Sequence, residues 1–422
     1  MVPRLRIQAM LASVFIALVC SVTLFAGTGY VAPGGGADRP LQAAFIRAGD
    51  LWIKQGDRET QATMNHQASK PKWSHDGNLV AYSGGKDNDE IWVYAVQTKR
   101  NMLVYAGGHN YQWAPDRNTL AFQIGGVLNV ADVTLEQVKP FRNVTLGVGN
   151  YAWEPGGKSF LVSSGSQLLP TGWTPVKLFI VPLNANMETD KAKLFFTLPE
   201  MTKDFFAVGT STFKWSRDGK WIAFIGVPTA SWSADSNTLC VLSADGRTFK
   251  TLDKMLHYEN WFQWAPSRDL LAYIEGEGRF AVEDKHLKVK ELPSVTSLSF
   301  TPKGYVDRDF TWMNDEVIVV SRAVESKWTN DPAKRPLPVM YRVDISGESQ
   351  RQLTSPPAGF GDFSPSFQHR TKQLAWIRSD RKIADAWIAD ADGGNPKPYI
   401  HHLGETSAYY DYWSFDSVIA WY

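Results

Sequence analysis

Only two cysteines occur in the 422 residues, Cys20 and Cys240. Cys20 lies inside an N-terminal apolar stretch, so removal of that stretch leaves one thiol and excludes an intramolecular disulfide. Cys240, within TLCVLS, reads as a buried strand thiol. Net charge is nearly absent: 44 Lys and Arg against 43 Asp and Glu give +1. No long-range field for nucleic acid follows from that, and no nucleic-acid partner is expected. The eight histidines form no H-x-x-x-H or H-E-x-x-H spacing. The one close pair, His401-His402, points to opposite faces of an extended chain, so neither a metal site nor a cofactor is expected. The acidic run Asp87-Asn88-Asp89-Glu90 lacks the ligand spacing of a calcium loop and reads as a hairpin turn. No G-x-S-x-G nucleophile elbow occurs. No segment after residue 38 sustains a 3.6-residue apolar period, which excludes a mainly helical fold.

What is present is aromatic. Trp 17, Tyr 15 and Phe 22 make up 13% of the chain, within an ordinary 44% apolar content. That much aromatic surface needs a large interior or an aromatic binding face. One uninterrupted apolar run stands at the start: after Arg4 and Arg6, residues 7–27 carry no charge, and a Gly/Pro/Ala segment follows. This is a secretory leader or a retained membrane anchor. The basic residues before it place the rest of the chain outside the cytoplasm, secreted or tethered. Residues 1–40 are therefore set apart from a single domain over 41–422.

That domain is built from a repeated phrase. FKWSRDGKWIAF (213–224) returns as PKWSHDGNLVAY (71–82), YQWAPDRNTLAF (111–122), YAWEPGGKSFLV (151–162) and FQWAPSRDLLAY (262–273). Weaker copies are FTWMNDEVIVVS (310–321), PSFQHRTKQLAW (365–376) and DYWSFDSVIAWY (411–422). The anchors Trp73, Trp113, Trp153, Trp215, Trp264, Trp312, Phe367 and Trp413 recur at spacings of 40 to 62 residues. Each copy reads as a hairpin: an aromatic strand, a polar turn in which Gly supplies positive φ, and an apolar strand. A third apolar strand follows, as in IWVYAV (91–96), LCVLSA (239–244) and FAVEDK (280–285), and then a more polar fourth.

Four-stranded units at this spacing specify a β-propeller, because a blade apolar on both faces is stable only between neighbours. The last copy stops after two strands, while AAFIRAGDLWIKQGDRETQATM (43–64) supplies later ones. Joined, they give an eighth, composite blade that closes the ring. VIAWY and AAFIR both look like second strands, so seven blades or an irregular closure stays open. The recurring Trp is expected to pack between blades. The polar residues just before it (Lys72, Gln112, Lys214, Gln263) are expected to face the central channel.

The pattern W-S-x-D-G-x-x-[IL]-A-[FY], followed by an apolar strand and a D-G turn, resembles the WD40-like repeat of TolB-type propellers. It is similar also to the propeller domain of dipeptidyl peptidase IV-type proteins. The resemblance covers roughly 42–422 and implies a propeller with a binding role. Two departures matter. TolB-type proteins carry a small α/β domain, and the peptidases a hydrolase domain, for which these 422 residues have no counterpart. The resemblance therefore carries over no catalytic residue.

Loop length is the informative irregularity. Between second and third strands, residues 163–177, 225–238 and 321–338 form long insertions with one tryptophan each: Trp173, Trp232 and Trp328. The connection 201–212 adds Phe205 and Phe206. In a propeller these loops share one face, and long loops on a rigid scaffold concentrate binding residues. The expectation is a non-enzymatic scaffold that recognises a protein, peptide or cell-envelope polymer through these five aromatics. The alternative is a polysaccharide lyase or hydrolase acting at the channel mouth.

Overall fold

The turn of the repeated phrase is held by its own side chains. Ser74 Oγ donates to Asp76 Oδ1 at 2.7 Å and accepts from Leu79 N at 3.1 Å, while Asn78 N donates to the same carboxylate. Ser216 and Asp218 repeat the arrangement, as do Ser243 and Asp245 at a third-to-fourth-strand turn. Each closes on a glycine with positive φ, Gly77, Gly219 and Gly246. This is a local side-chain-to-backbone device that reverses the chain without tertiary help.

The computed structural model describes residues 40–422 apart from positions 295, 348 and 407. The leader or anchor expected over 1–40 thus lies outside the described residues, Pro40 excepted. Eight antiparallel four-stranded blades form a ring, a β-propeller. In chain order they span 69–106, 109–146, 150–197, 209–255, 262–299, 305–352 and 361–400, here blades one to seven. The eighth is composite. Its inner strand is Ile419–Trp421, paired to Gln42–Arg47, followed outward by Asp50–Gln55 and Arg58–Gln61. Among the described residues no helix is long and apolar enough to cross a membrane.

The composite blade corrects one anchor. Residues 412–413 pair with 408–409 in a small separate hairpin, so Trp413 is not a blade position. Trp421 takes that place, and VIAWY is a first strand rather than a surplus second one. A second correction concerns FAVEDK. The third strand of blade five is His286–Glu291, and residues 276–285 are loop. There the buried Lys285 ammonium donates to the carbonyls of Glu277 and Glu283 at 2.7 and 2.8 Å, which satisfies backbone groups that no strand pairs.

The recurring Trp is an inter-blade pin. Its indole N–H donates to a backbone carbonyl of the preceding blade: Trp73 to Ala420, Trp113 to Lys72, Trp153 to Gln112, Trp264 to Lys214 and Trp312 to Gln263, at 2.8 to 3.3 Å. The residue before it reaches the other way. Lys72, Gln112, Lys214 and Gln263 donate to the carbonyls of Tyr111, Tyr151, Phe262 and Phe310 in the following blade. One dipeptide thus stitches its inner strand to both neighbours, because adjacent side chains on a strand point to opposite sides.

Trp215 is the exception, since its buried Nε1 has no hydrogen-bond partner among the described residues. Replacing Trp264 by Phe removes a made hydrogen bond, whereas the same change at Trp215 removes an unmade one. Trp264→Phe is expected to lower unfolding free energy by about 1 kcal/mol more than Trp215→Phe. Denaturant melts of the two variants check this.

Candidate functional site

Each first strand starts at the face that carries the blade connections, and several begin with a β-bulge. Register shifts at 69/72, 109/112, 307/310 and 363/366 mark it. The bulge re-aims the residue three before the anchor. In blades six and seven those residues are Asp309 and Ser364, and in blade five, which has no bulge, the equivalent position is Trp261 at the end of the 3-10 turn Glu259–Trp261. They meet at the channel mouth. Trp261 Nε1 donates to Asp309 Oδ1 at 3.2 Å, and Ser364 Oγ donates to Oδ2 at 2.9 Å. The Tyr412 hydroxyl also bonds this carboxylate. Asp309 is only 6% exposed, yet it lines a cavity of about 220 Å³ together with Gln263, Thr311, Ser366 and Asp416.

Burial dominates the chemistry here. It lifts the Asp309 carboxyl to about 6, against the pull of its three donors. Burial also raises the Asp416 carboxyl, an effect that Lys72 opposes and Glu259 reinforces. The Lys214 ammonium is pushed down to about 8 by burial, partly offset by Glu259 and Asp416. Lys72 is lowered for the same reason, and the same two carboxyls oppose the shift. The Lys72 residue nevertheless keeps contact with solvent. Three carboxyls and two ammonium groups from three different blades and two blade connections therefore act on one another in one low-dielectric space. Such a set can take up or release protons near neutral pH and hold a developing charge. Among the described residues no group of three or more His, Cys, Asp or Glu is placed to hold a metal ion.

A strap crosses this mouth. Residues 401–418 run from the outer strand of blade seven to the inner strand of blade eight. Tyr412 stacks on Tyr258 with ring centroids 3.6 Å apart and meets Trp261 edge-on at 5.5 Å. Asp411 is buried against three guanidinium groups: Arg308 Nη2 at 2.9 Å, Arg335 Nη1 and Arg381 Nε each at 3.2 Å. Alongside, Asp307 pairs with Arg322 at 2.5 Å in a fully buried bridge.

The five expected aromatics part company in the structure. Trp173 sits on a short hairpin with Leu168 and Leu169, 37% exposed, and Trp232 on the helix Ala230–Ser233 is 48% exposed. Phe205 is buried against Phe249, and Phe206 packs on Trp232 at 5.7 Å, so both rings face protein. Trp328 stacks on Phe280 at 4.7 Å and lies under the Arg335 guanidinium. Sequence reasoning misses Asp309. The available signal is Asp307-Arg308-Asp309, three consecutive charges set between Val306 and Phe310 in a strand.

Comparison with solved structures shows the fold. A puromycin hydrolase aligns with TM-score 0.52 and 11% identity over 82% of this chain and 55% of its own. The dihydro-heme d1 dehydrogenase NirN aligns with TM-score 0.58 and 14% identity over 90% and 77%. A eukaryotic initiation factor aligns with TM-score 0.51 and 10% identity over 87% and 98%. This chain spans about half the length of the peptidases it matches. No family model and no curated protein matches it. The solved structures it resembles are chiefly enzymes. Together with the ionisable cluster, this corrects the expectation of a non-enzymatic scaffold.

Proposed function

We propose that the protein is a propeller enzyme, a hydrolase or lyase working by general acid–base catalysis at the channel mouth. The observation that carries the reading is Asp309: a carboxyl on the wall of a polar cavity, titrating at about 6, with Ser364 and Asp416 beside it. Above that pH Asp309 is the base. Lys214, cationic below about 8, balances negative charge that develops in the cavity. Trp173 and Trp232 form an outer rim for substrate, and the repeats are of TolB type. The basic start and the apolar stretch over 7–27 support an extracytoplasmic location.

The test is turnover against three substrate classes: peptide nitroanilides, nitrophenyl glycosides and uronate oligomers. One class is expected to be turned over with a bell-shaped kcat/KM profile, limbs near 6 and 8. No turnover in any class, or a profile flat across that range, overturns the reading.

A further inference from the structure

The strap inserts two consecutive residues into two sites. Tyr412 covers Asp309, and Asp411 enters the arginine cluster. The cluster carries three cations for one carboxylate. Arg308, 2% exposed, donates from Nη1 to the Asp411 carbonyl and meets the carboxylate through Nη2 as an ion pair, yet neither its Nε nor its Nη2 has a hydrogen-bond partner among the described residues. Arg335 Nε is also buried without one. Buried guanidinium groups normally spend their donors on acceptors, so this cluster has donor capacity that the Asp411 side chain leaves unused.

The tenant is also held awkwardly. Ala408–Tyr409 and Tyr412–Trp413 form a two-residue hairpin, and both central residues have positive φ, 47° at Tyr410 and 69° at Asp411. Such turns favour Asn-Gly, and Tyr is a poor occupant. Backbone strain at Tyr410, next to the residue whose side chain fills the charged site, points to a site that exchanges occupants. Beside the cluster lies a cavity of about 330 Å³ lined by Arg381, Lys382, Glu405, Trp413 and Phe415. Phe415 also lines the channel cavity, so the two spaces share a wall.

We propose that Arg308, Arg335 and Arg381 form a subsite for a carboxylate of the substrate, whose place the Asp411 side chain takes in this state. A ligand bound in the neighbouring cavity puts its carboxylate on the triad, displaces Asp411, and draws Tyr412 off Asp309. This deepens the proposed function and rests on it for the role of Asp309. The carboxylate is that of a peptide C-terminus or of a uronic acid.

Binding, not turnover, tests it, in the Asp309→Asn chain so that failed catalysis is not mistaken for failed recognition. The probes are a tripeptide and its C-terminal amide, and a galacturonate trimer and its methyl ester, followed by tryptophan fluorescence. One free acid is expected to bind roughly tenfold tighter than its capped form, and that pair names the source. The added substitution Arg381→Gln, at the cavity edge, is expected to erase the preference. As an independent arm, Asp411→Ala is expected to lose thermal stability and to regain it in acetate but not in chloride of equal ionic strength. Equal binding of free and capped forms, or no binding of either pair, overturns the proposal. So does an Asp411→Ala chain that ignores acetate.

Discussion

Ending the chain after Val418 is expected to open the ring. The four residues removed hold the inner strand of blade eight. Ala43, Ala44 and Phe45 lose their partners Trp421, Ala420 and Ile419. Trp73 loses the Ala420 carbonyl and the Tyr422 ring, 5.4 Å away. Tyr399 loses its stack on Trp421. Several large side chains become exposed, at about 1.5–3 kcal/mol each, so the loss is on the order of 5 kcal/mol or more. The freed edge of Gln42–Arg47 also becomes a template for association. Calorimetry of the truncated chain, beside a control in which the exposed 168–173 hairpin is shortened, separates ring closure from mere deletion. The control is expected to be nearly neutral. A truncated chain melting within about 1 °C of the full one would contradict the account.

Asp309→Asn is expected to abolish turnover while stabilising the fold at alkaline pH. If Asp309 is the general base, its loss lowers kcat by roughly 10²–10⁴-fold. Retention of turnover within about threefold would remove it from that role. The stability effect follows from the raised carboxyl, which favours the neutral form in the folded chain. Between about 4 and 6 the unfolded chain has released a proton that the folded chain still holds. Stability therefore falls as pH rises through that window. Below it no penalty exists; above about 6 the full penalty of about 3 kcal/mol applies. The amide has no such titration. The variant's stability relative to the native chain is thus expected to climb by about 3 kcal/mol from pH 4 to pH 8, a few degrees in Tm. A difference unchanged across that range would mean the group is not perturbed. Stability gained where function is lost is a common mark of an active centre.

Much of the fold is legible in the sequence because its determinants are local. Ser74, Asp76 and Gly77 close a turn from within, and the same three types at 216, 218 and 219 do so again. Alternate apolar strands then require neighbours, and repetition requires a ring. The errors fall where the local signal is copied without its function. Trp413 carries the repeat's aromatic and serine but is claimed by the strap, since Trp421 has already paired with the first strand of the chain. FAVEDK has a strand's apolar residues, but Gly276 at φ +132° and the caged Lys285 hold it as a loop.

The site is less legible because it is made by contacts between blades. Trp261, Asp309 and Ser364 lie 48 and 55 residues apart along the chain and meet only because each holds the position three before the anchor of its own blade. The strap brings Tyr412 to them from another 48 residues on. Loop aromatics were visible by type, but exposure was not: Phe205 and Phe206 are buried, Trp173 and Trp232 half-exposed. The sequence by itself determined the blade, its turn and its repetition, since these depend on side chains within a few residues of one another. The tertiary structure decided which charges were buried together, and therefore which carboxyl titrates near 6. Desolvation and proximity belong to the assembled ring, not to any one blade.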